Sequence, residues 1–196
     1  MKWIGLTGGL GTGKSTVANI LREQGYVVLD ADSLAKQVIA AGTPGLRSVI
    51  QKFGRSFLLS NGELNREKMS QEVFATLKSL EDLERIIHPL VKVEVQKQKD
   101  AELHKGTPFV FYDVPLLYEK KISDFDAVLV VASSEENQKL RIRKRNHWSE
   151  NEINQRLKNQ IPLAQKIQKA DYVIYNDGSL ENLKSEVEKV LNALKK

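Results

Sequence analysis

Residues 8–15 read GGLGTGKS and fit the spacing G-x-x-x-x-G-K-[ST] of a phosphate-binding loop. The glycines let the backbone turn through left-handed dihedral angles and bring consecutive N–H groups within reach of phosphate oxygens. Lys14 supplies a mobile positive charge for the β- and γ-phosphates, and the hydroxyl of Ser15 can bind Mg²⁺. A largely apolar strand at residues 2–7 precedes the loop, and a helix at 15–24 follows it with its N-terminus towards the anion. The stretch therefore predicts a nucleoside triphosphate site.

The composition is that of a cysteine-free globular protein with a moderate positive charge. The 196 residues suit one domain with room for an elaborated lobe, and 41% of them are hydrophobic and 28% charged. Without cysteine, disulfides, thiolate metal sites and cysteine nucleophiles are excluded. No apolar run approaches the ~20 residues of a membrane helix, and the first predicted strand leaves no room for a signal peptide. We therefore expect a cytoplasmic protein, whose net charge of +5 fits either a nucleotide or a nucleic acid as partner.

Two aspartates stand at the end of the second predicted strand, residues 26–30. Asp30 ends this strand and Asp32 follows it. In open α/β sheets ligands bind at the carboxyl ends of the strands, but aspartate is also a preferred N-cap of helices. We expect one of the two to cap the next helix and the other to act in the chemistry. Its position favours Asp32 for the chemical role.

Residues 33–105 show no strand pattern and predict an inserted helical lobe. Helical patterns cover residues 33–41, 46–53, 66–77, 80–88 and 90–103. A crossover between parallel strands needs only about a dozen residues, so this one is several times longer than necessary. A lobe at this sheet edge would most simply cover a second substrate, and the alternative is a stabilising appendage.

Three further apolar strands are predicted at residues 108–113, 127–132 and 172–175. The first of them ends in Asp113. In phosphate-loop proteins such a strand carries the acid that holds the metal ion or its water, and the alternative is a turn aspartate. The strand at 127–132 lacks polar alternation, as is typical of parallel sheets. A final helix at 180–194 has an apolar stripe and is structural.

A basic cluster ends the helix predicted at residues 135–145. Five of the seven residues at 139–145 are Lys or Arg and none is acidic, so we expect no salt-bridged surface face. Arginines near a triphosphate neutralise charge on the transferring phosphoryl oxygens. The alternatives are a solvated basic face or an RNA contact. The next helix is predicted at 149–160, with Ser149 as N-cap and Glu152 completing a capping box.

Together these segments resemble dephospho-CoA kinase along nearly the whole chain. The resemblance is carried by the phosphate loop at 4–16, the acidic strand end at 30–32, GELNR at 62–66, HP at 88–89, DVPLLYE at 113–119, Gln138 with Arg141 and Arg145, QIP at 160–162, and AD at 170–171 with Asn176. Many kinases and GTPases share the phosphate loop, whereas the DVPLLYE run combined with HP is far narrower.

The resemblance implies an α/β fold of the P-loop NTPase type. Such a fold has three α/β/α layers around a five-stranded parallel sheet, with a helical lobe for the CoA substrate and a helical lid. The whole chain, residues 1–196, would form a single domain. Its core would comprise residues 1–31, 106–138 and 166–196, its acceptor lobe residues 32–105, and its lid residues 139–165.

The resemblance also implies the reaction and its residues. The ATP γ-phosphoryl group would pass to the 3′-hydroxyl of the ribose of dephospho-CoA, with Mg²⁺ accompanying ATP, in the last step of coenzyme A biosynthesis. Catalytic roles are implied for Asp32, Lys14, Arg141 and Arg145. ATP binding is implied for Gly11, Thr12, Gly13, Lys14, Ser15, Thr16 and Asn176. Binding of dephospho-CoA is implied for Asp32, Arg66, His88, Asp113 and Leu116, and metal binding for Ser15 and Asp113. For His88, a packing role is an equal alternative.

Three other functions remain open at this point. A kinase for a nucleoside or a small metabolite would share the loop, Asp32 and the lid, but would not need so large a lobe. A guanine nucleotide switch usually carries N-K-x-D, which the sequence lacks. An RNA-binding adaptor would interleave aromatic residues with the basic cluster, where only Trp148 lies nearby. We expect ATP and dephospho-CoA as partners, no nucleic acid or membrane, and a monomer or weak homo-oligomer.

Overall fold

The computed structural model describes residues 1–146 and 148–196, with the side chains in these ranges except those of residues 74 and 75. The strands are β1 (Lys2–Gly8), β2 (Val27–Asp30), β3 (Phe109–Asp113), β4 (Ala127–Ala132) and β5 (Tyr172–Tyr175). The helices are α1 (Lys14–Glu23), α2 (Ala31–Gln37), α3 (Pro44–Phe53), α4 (Arg66–Ala75), α5 (Leu77–His104), α6 (Glu135–Asn146), α7 (Glu150–Lys158), α8 (Leu163–Gln168) and α9 (Leu180–Leu194). The chain divides into two compact units, one of Met1–Leu29 with Gly106–Lys196 and the other of Asp30–Lys105.

The strands form one five-stranded parallel sheet in the order β2-β3-β1-β4-β5. The central strand β1 pairs with β3 from Lys2 opposite Phe109 to Leu6 opposite Asp113, and with β4 on its other side. Every residue of β3 is buried, as expected for a strand inside a parallel sheet that helices cover. The predicted fold class, an α/β P-loop fold with a five-stranded parallel sheet, is confirmed.

Successive side chains of a strand point to opposite faces of the sheet. Both faces of this buried sheet are therefore apolar, and helices cover them. On one face, apolar side chains of the strands form a core with α1 and α9, which includes Ile4, Phe111, Leu129, Val17 and Leu191. Helix α8 packs on β4 and contributes no residue to this core. The result is the three-layer arrangement that brings the strand ends to a common edge.

The carboxyl edge of the sheet collects the polar residues. Strand β1 runs directly into the phosphate loop at Gly8, and β3 ends in the buried Asp113. Asn176 follows β5 and its backbone N–H donates to the carbonyl of Ala132 at 2.8 Å, which extends the ladder by one residue. Ligands of open α/β proteins bind at this edge.

The second unit has a separate apolar core. Its buried members are Ile39, Leu46, Val49, Phe57, Leu64, Met69 and Val73. Strand-like pairing within its described residues is limited to one isolated bridge between Leu58 and Leu64. The unit is therefore helical, as the pattern of residues 33–105 indicates.

Helix α5 corrects one prediction. The two helices predicted at 80–88 and 90–103 are a single helix of 28 residues that contains Pro89. Proline removes one N–H and favours a boundary at the preceding residue, but Leu80, Leu83 and Ile86 pack on the lobe core and hold the turns that precede it. Neither α5 nor any other helix of the described residues is long and apolar enough to cross a membrane.

The region after α6 contains a helix that periodicity does not predict. The capping box between Ser149 and Glu152 is present, but α7 ends at Lys158. After Pro162 the chain forms α8, which has six residues and is too short for a helical repeat to show in the sequence.

Candidate active site

The phosphate loop turns through two glycines in the left-handed region. Gly11 and Gly13 have φ angles of 78° and 87°. A β-carbon at Gly11 would lie 2.7 Å from the carbonyl oxygen of Gln138, and one at Gly13 would clash with Nδ2 of Asn176. Gly13 is the N-cap of α1, and the N–H groups that a helix start leaves unpaired form a ready site for an anion. Backbone conformation and crowding therefore both demand glycine here.

Lys14 and Asp113 form an ion pair at the carboxyl edge of the sheet. The Lys14 ammonium donates to Oδ1 of Asp113, whose side chain is only 4% exposed, whereas the Lys14 side chain is 16% exposed. A carboxylate so deeply buried needs a partner to offset its lost hydration. The structure thus brings together two residues that the sequence assigns to the triphosphate site through separate motifs.

Ser15 and Thr16 are exposed in the first turn of α1. Thr12 is fully buried, and its hydroxyl donates to the carbonyl of Gly9 at 2.9 Å, which closes the loop on itself. The hydroxyls of Ser15 and Thr16 are therefore accessible, whereas the Thr12 hydroxyl is held by a hydrogen bond inside the loop.

Arg141 and Asn176 brace the outer side of the loop. The Asn176 amide donates to the carbonyl of Thr12 at 2.9 Å. The Arg141 guanidinium donates to the Asn176 carbonyl at 2.7 Å and to the Ser133 hydroxyl at 3.0 Å, with longer contacts of 3.5 Å and 3.4 Å to the carbonyls of Gly11 and Thr12. These bonds fix the loop carbonyls, so the folded chain itself sets the orientation of the peptide groups.

Asp177 anchors the start of α6 to the end of β5. Its Oδ1 accepts from the Ser133 hydroxyl, the Ser134 N–H and the Asn137 amide at 2.8–2.9 Å. The Asn137 hydrogen bond is the largest influence and, against a raising effect of burial, these donors lower the pKa of Asp177 to about 2. The carboxylate holds the segment that carries Arg141.

The remaining basic residues of α6 behave differently from Arg141. Lys139 pairs with Glu135 at 2.7 Å and Arg143 with Glu150 at 3.2 Å. The prediction that the cluster has no salt-bridged face is therefore wrong for these two, because the acids flank the seven-residue window. Arg145 is exposed, and its Nε donates to Asn146 at 2.9 Å.

The residues of the second unit that the sequence assigns to the acceptor are exposed. Asp30 caps α2 by accepting from the Ser33 N–H at 2.7 Å, so α2 begins earlier than predicted and Asp32 lies exposed in its first turn. Arg66 is exposed at the start of α4 and donates to the carbonyl of Lys36 at 3.3 Å.

Two further residues assigned to the acceptor are also accessible. The His88 side chain is 59% exposed, with Nε2 at 4.0 Å from Glu84, so its surroundings do not support the alternative of a packing role. In the first unit, Leu116 is 36% exposed, three residues beyond the buried Asp113.

Three side chains at the loop have no predicted role. Oε1 of Gln160 accepts from the Leu10 N–H at 3.1 Å. Lys166 is wholly buried and pairs with Glu119 at 2.8 Å. Gln160 and Glu119 lie in the QIP and DVPLLYE runs, which could have marked them, whereas no motif marks Lys166.

Comparison with known proteins identifies one family. A family model described as Dephospho-CoA kinase matches residues 2–182, a range that contains every residue of the site described above. The chain is 46% identical to a protein of Bdellovibrio bacteriovorus named Dephospho-CoA kinase, over 99% of this chain and 96% of that one.

Solved structures show the same fold. The protein TT1252 from Thermus thermophilus superimposes with a TM-score of 0.81 at 33% identity, covering 98% of this chain and 97% of that chain. A dephospho-CoA kinase from Campylobacter jejuni superimposes with a TM-score of 0.74 at 24% identity, covering 98% and 96% of the two chains. At 24% identity, this second similarity shows only that the fold is the same.

Proposed function

Because the chain belongs to the dephospho-CoA kinase family, we propose how its residues divide between the donor ATP and the acceptor dephospho-CoA. The family reaction is the last step of coenzyme A biosynthesis, and the protein is an ATP-dependent phosphotransferase. A bond forms between the 3′-oxygen of the acceptor ribose and the γ-phosphorus while the bond from that phosphorus to the β–γ bridging oxygen breaks. The acceptor loses its hydroxyl proton, and CoA and ADP leave.

The observation that supports the donor side best is the Lys14–Asp113 pair at the end of the glycine loop. The ammonium is held at the sheet edge, next to the helix start that attracts an anion. We assign the β- and γ-phosphates to Lys14, and the loop and helix start at residues 11–16 to the rest of the ATP site. Lys14 stabilises the charge that builds on the phosphoryl oxygens during transfer.

Ser15 and Asp113 are our candidates to hold the Mg²⁺ that accompanies ATP. Their donor set fits the ion, because a hydroxyl and a carboxylate are oxygen ligands and Mg²⁺ usually takes only one or two protein oxygens beside phosphates and waters. Within residues 1–146 and 148–196, no group of three or more His, Cys, Asp or Glu is arranged to hold a metal. Bound Mg²⁺ would neutralise charge on the phosphates, and Ser15 and Asp113 would keep it in register with Lys14.

Asn176 and Arg141 are assigned to the nucleotide through the loop. Both bond carbonyl oxygens of the loop, which supports a role in setting its shape. Arg145 is exposed on the same helix as Arg141, and we assign it to the phosphates when the lid of residues 139–165 closes. Closure would exclude water and suppress hydrolysis of ATP.

Asp32 is our candidate for the general base. Asp30 is occupied as the cap of α2, whereas Asp32 is exposed in the first turn of that helix and follows a strand end of the ligand-binding edge. An aspartate accepts the hydroxyl proton in several kinases. Because the transition state is loose, part of its effect would be to orient the hydroxyl.

Arg66, His88 and Leu116 complete the acceptor assignment, together with Asp113. Arg66 and His88 are accessible polar groups of the lobe and suit the phosphate or adenine groups of dephospho-CoA. Leu116 is a partly exposed apolar residue in the run that follows β3 and suits an apolar part of the acceptor.

Acceptor-dependent release of ADP tests the proposed function. Purified protein is given Mg-ATP alone, with dephospho-CoA, or with a panel of nucleosides and small hydroxylated metabolites. We expect fast ADP release only with dephospho-CoA, and loss of release when Mg²⁺ is chelated. Preference for another acceptor, or equal release without any acceptor, would contradict the proposal.

We also propose that the protein acts in the cytoplasm as a monomer or weak homo-oligomer. Each of its two units buries an apolar core within one chain, so neither needs a second copy to complete it. Light scattering across a dilution series checks the oligomeric state, and cell fractionation checks the compartment.

A further inference from the structure

Lys166 is a charged residue at a buried position, where the ammonium group loses its hydration. Its side chain has no exposed surface, although it belongs to the short helix α8. The ammonium lies 2.8 Å from Oε1 of Glu119 and donates to the carbonyl oxygen of Gly8 at 3.4 Å. Gly8 is the first residue of the phosphate loop. A buried ion pair is weak support for stability as such, because desolvation can cancel the attraction.

The same carboxylate oxygen also holds the chain that leads into α8. Oε1 of Glu119 accepts from the Ile161 N–H at 3.0 Å. Burial alone would raise the pKa of Glu119, but the bonds from Lys166 and Ile161 outweigh it and lower the pKa below its ordinary value. Glu119 is therefore an ionised acceptor for two donors.

A second bond joins this segment to the loop. Gln160, next to Ile161 in the chain, accepts from the Leu10 N–H at 3.1 Å. The end of the predicted lid is thus tied to the phosphate loop at Leu10 through Gln160, and at Gly8 through the Glu119–Lys166 pair. Arg141 and Asn176 bond other residues of the loop, Gly11 and Thr12.

We propose that Glu119 and Lys166 are positioning residues for the nucleotide, which act by orienting the phosphate loop rather than by touching ATP. Lys166 fixes the direction of the Gly8 carbonyl, and with it the peptide planes that follow. Glu119 places Lys166 and clamps the end of the lid segment at Ile161. The proposal rests on the proposed function only in taking the loop as the ATP site.

The test separates loop positioning from stability by removing the charges singly and together. Lys166→Met keeps the length of the side chain but leaves the largely buried Glu119 without its cation, and we expect Tm to fall by roughly 10 °C. The double variant Glu119→Gln with Lys166→Met removes both charges and should recover most of the lost Tm. Glu119→Gln alone is a second single variant that retains an oxygen for Ile161.

Nucleotide affinity is then measured by calorimetry with a non-hydrolysable ATP analogue and no acceptor. We expect Lys166→Met to bind the analogue about 10-fold more weakly, and the double variant to stay weak despite its recovered Tm. In turnover, KM for ATP should rise in both variants while KM for dephospho-CoA stays unchanged. Because binding of the ATP analogue is measured without an acceptor, its result does not depend on whether the protein phosphorylates dephospho-CoA.

A matched control is the ion pair of Lys52 and Asp82 in the helical lobe, where the charged atoms are also 2.8 Å apart. Lys52→Met with Asp82→Asn should leave affinity for the ATP analogue unchanged. Wild-type affinity in the double variant of Glu119 and Lys166 would overturn the proposal and leave the pair a purely structural contact. The same conclusion would follow if analogue affinity simply tracked Tm across all variants.

Discussion

The phosphate loop and the helical lobe hold in opposite ways the side chains that we assign to the site. Around the loop, Lys14, Arg141 and Asn176 are all engaged in hydrogen bonds or ion pairs inside the fold. In the lobe, Asp32 and Arg66 are exposed, and one backbone carbonyl is the partner seen for Arg66. We infer that the fold itself preorganises the donor site, while the acceptor residues owe less of their geometry to the folded chain.

The largest effect should come from the aspartates at the end of β2, where we assign Asp30 to the fold and Asp32 to the chemistry. Asp32→Asn keeps the shape but cannot accept a proton, so we expect CoA formation at saturating substrates to fall ~10²–10⁴-fold. Asp30→Asn keeps an oxygen for the Ser33 N–H and should stay within a few-fold of wild type. If Asp32→Asn remains active while Asp30→Asn is dead, the roles are reversed.

Lys14→Ala tests the donor side directly. Loss of the charge-assisted contact to the β- and γ-phosphates should reduce turnover by ~10²–10³-fold. The substitution also leaves the buried Asp113 without its ammonium, so we expect a lower Tm. Steady-state rates and thermal unfolding are measured on the same preparation, and near wild-type turnover would remove Lys14 from the site.

Arg66→Ala tests the acceptor side. We expect KM for dephospho-CoA to rise by ~10-fold or more, as for the loss of a charged hydrogen bond, and KM for ATP to stay unchanged. Arg55→Ala, which removes another arginine of the lobe, is the matched control. A raised KM for ATP with a normal KM for dephospho-CoA would assign the lobe to the donor.

Arg141 and Arg145 of α6 test the difference between bonded and exposed groups. Arg141→Lys loses the planar fork that reaches both Ser133 and the Asn176 carbonyl, so ATP affinity and turnover should both fall by about 10-fold. Arg145→Lys should lower mainly turnover, because we assign it to the closed lid. Unchanged turnover in Arg145→Lys with weaker binding of an ATP analogue would limit this arginine to the ground state.

The smallest effect concerns Asp177 and the acid stability of the first unit, Met1–Leu29 with Gly106–Lys196. Its pKa is lowered from 3.8 to about 2 in the fold, so it stabilises the folded state above pH ~4 and loses that contribution as the pH falls towards 2. Asp177→Ala should cost about 1 kcal/mol of the free energy of unfolding at pH 7. The difference from wild type should shrink on acidification in urea titrations, whereas exposed Glu81→Ala should show little difference at either pH. A difference that persists at pH 2 would contradict the assignment.

The sequence predicts the loop and strand ends that make up the candidate donor site because their signals are local. The glycine loop between a strand and a helix, and the acid at the end of β3, are visible within short stretches of sequence. The pairing of Lys14 with Asp113 is not visible in this way, since it depends on β1 and β3 being neighbours in the sheet.

The parts that escaped prediction depend on distant contacts. Lys166 sits in a six-residue helix, and nothing in the local pattern distinguishes it from the exposed lysines of the chain. Its burial follows from Glu119 and Gly8, which other segments supply. Pro89 shows the reverse case, in which packing of the lobe overrides a strong local signal.

The position of the phosphate on the product tests the central claim most directly. Wild-type protein, Mg-ATP and dephospho-CoA are incubated to completion, ADP is quantified, and the product is examined by ¹H–³¹P correlation NMR. We expect one CoA for each ADP, with the new phosphomonoester coupled to the ribose proton at the 3′-carbon. Inorganic phosphate in place of a phosphomonoester, or a phosphate on any other hydroxyl, would contradict the assignment of the reaction to this chain.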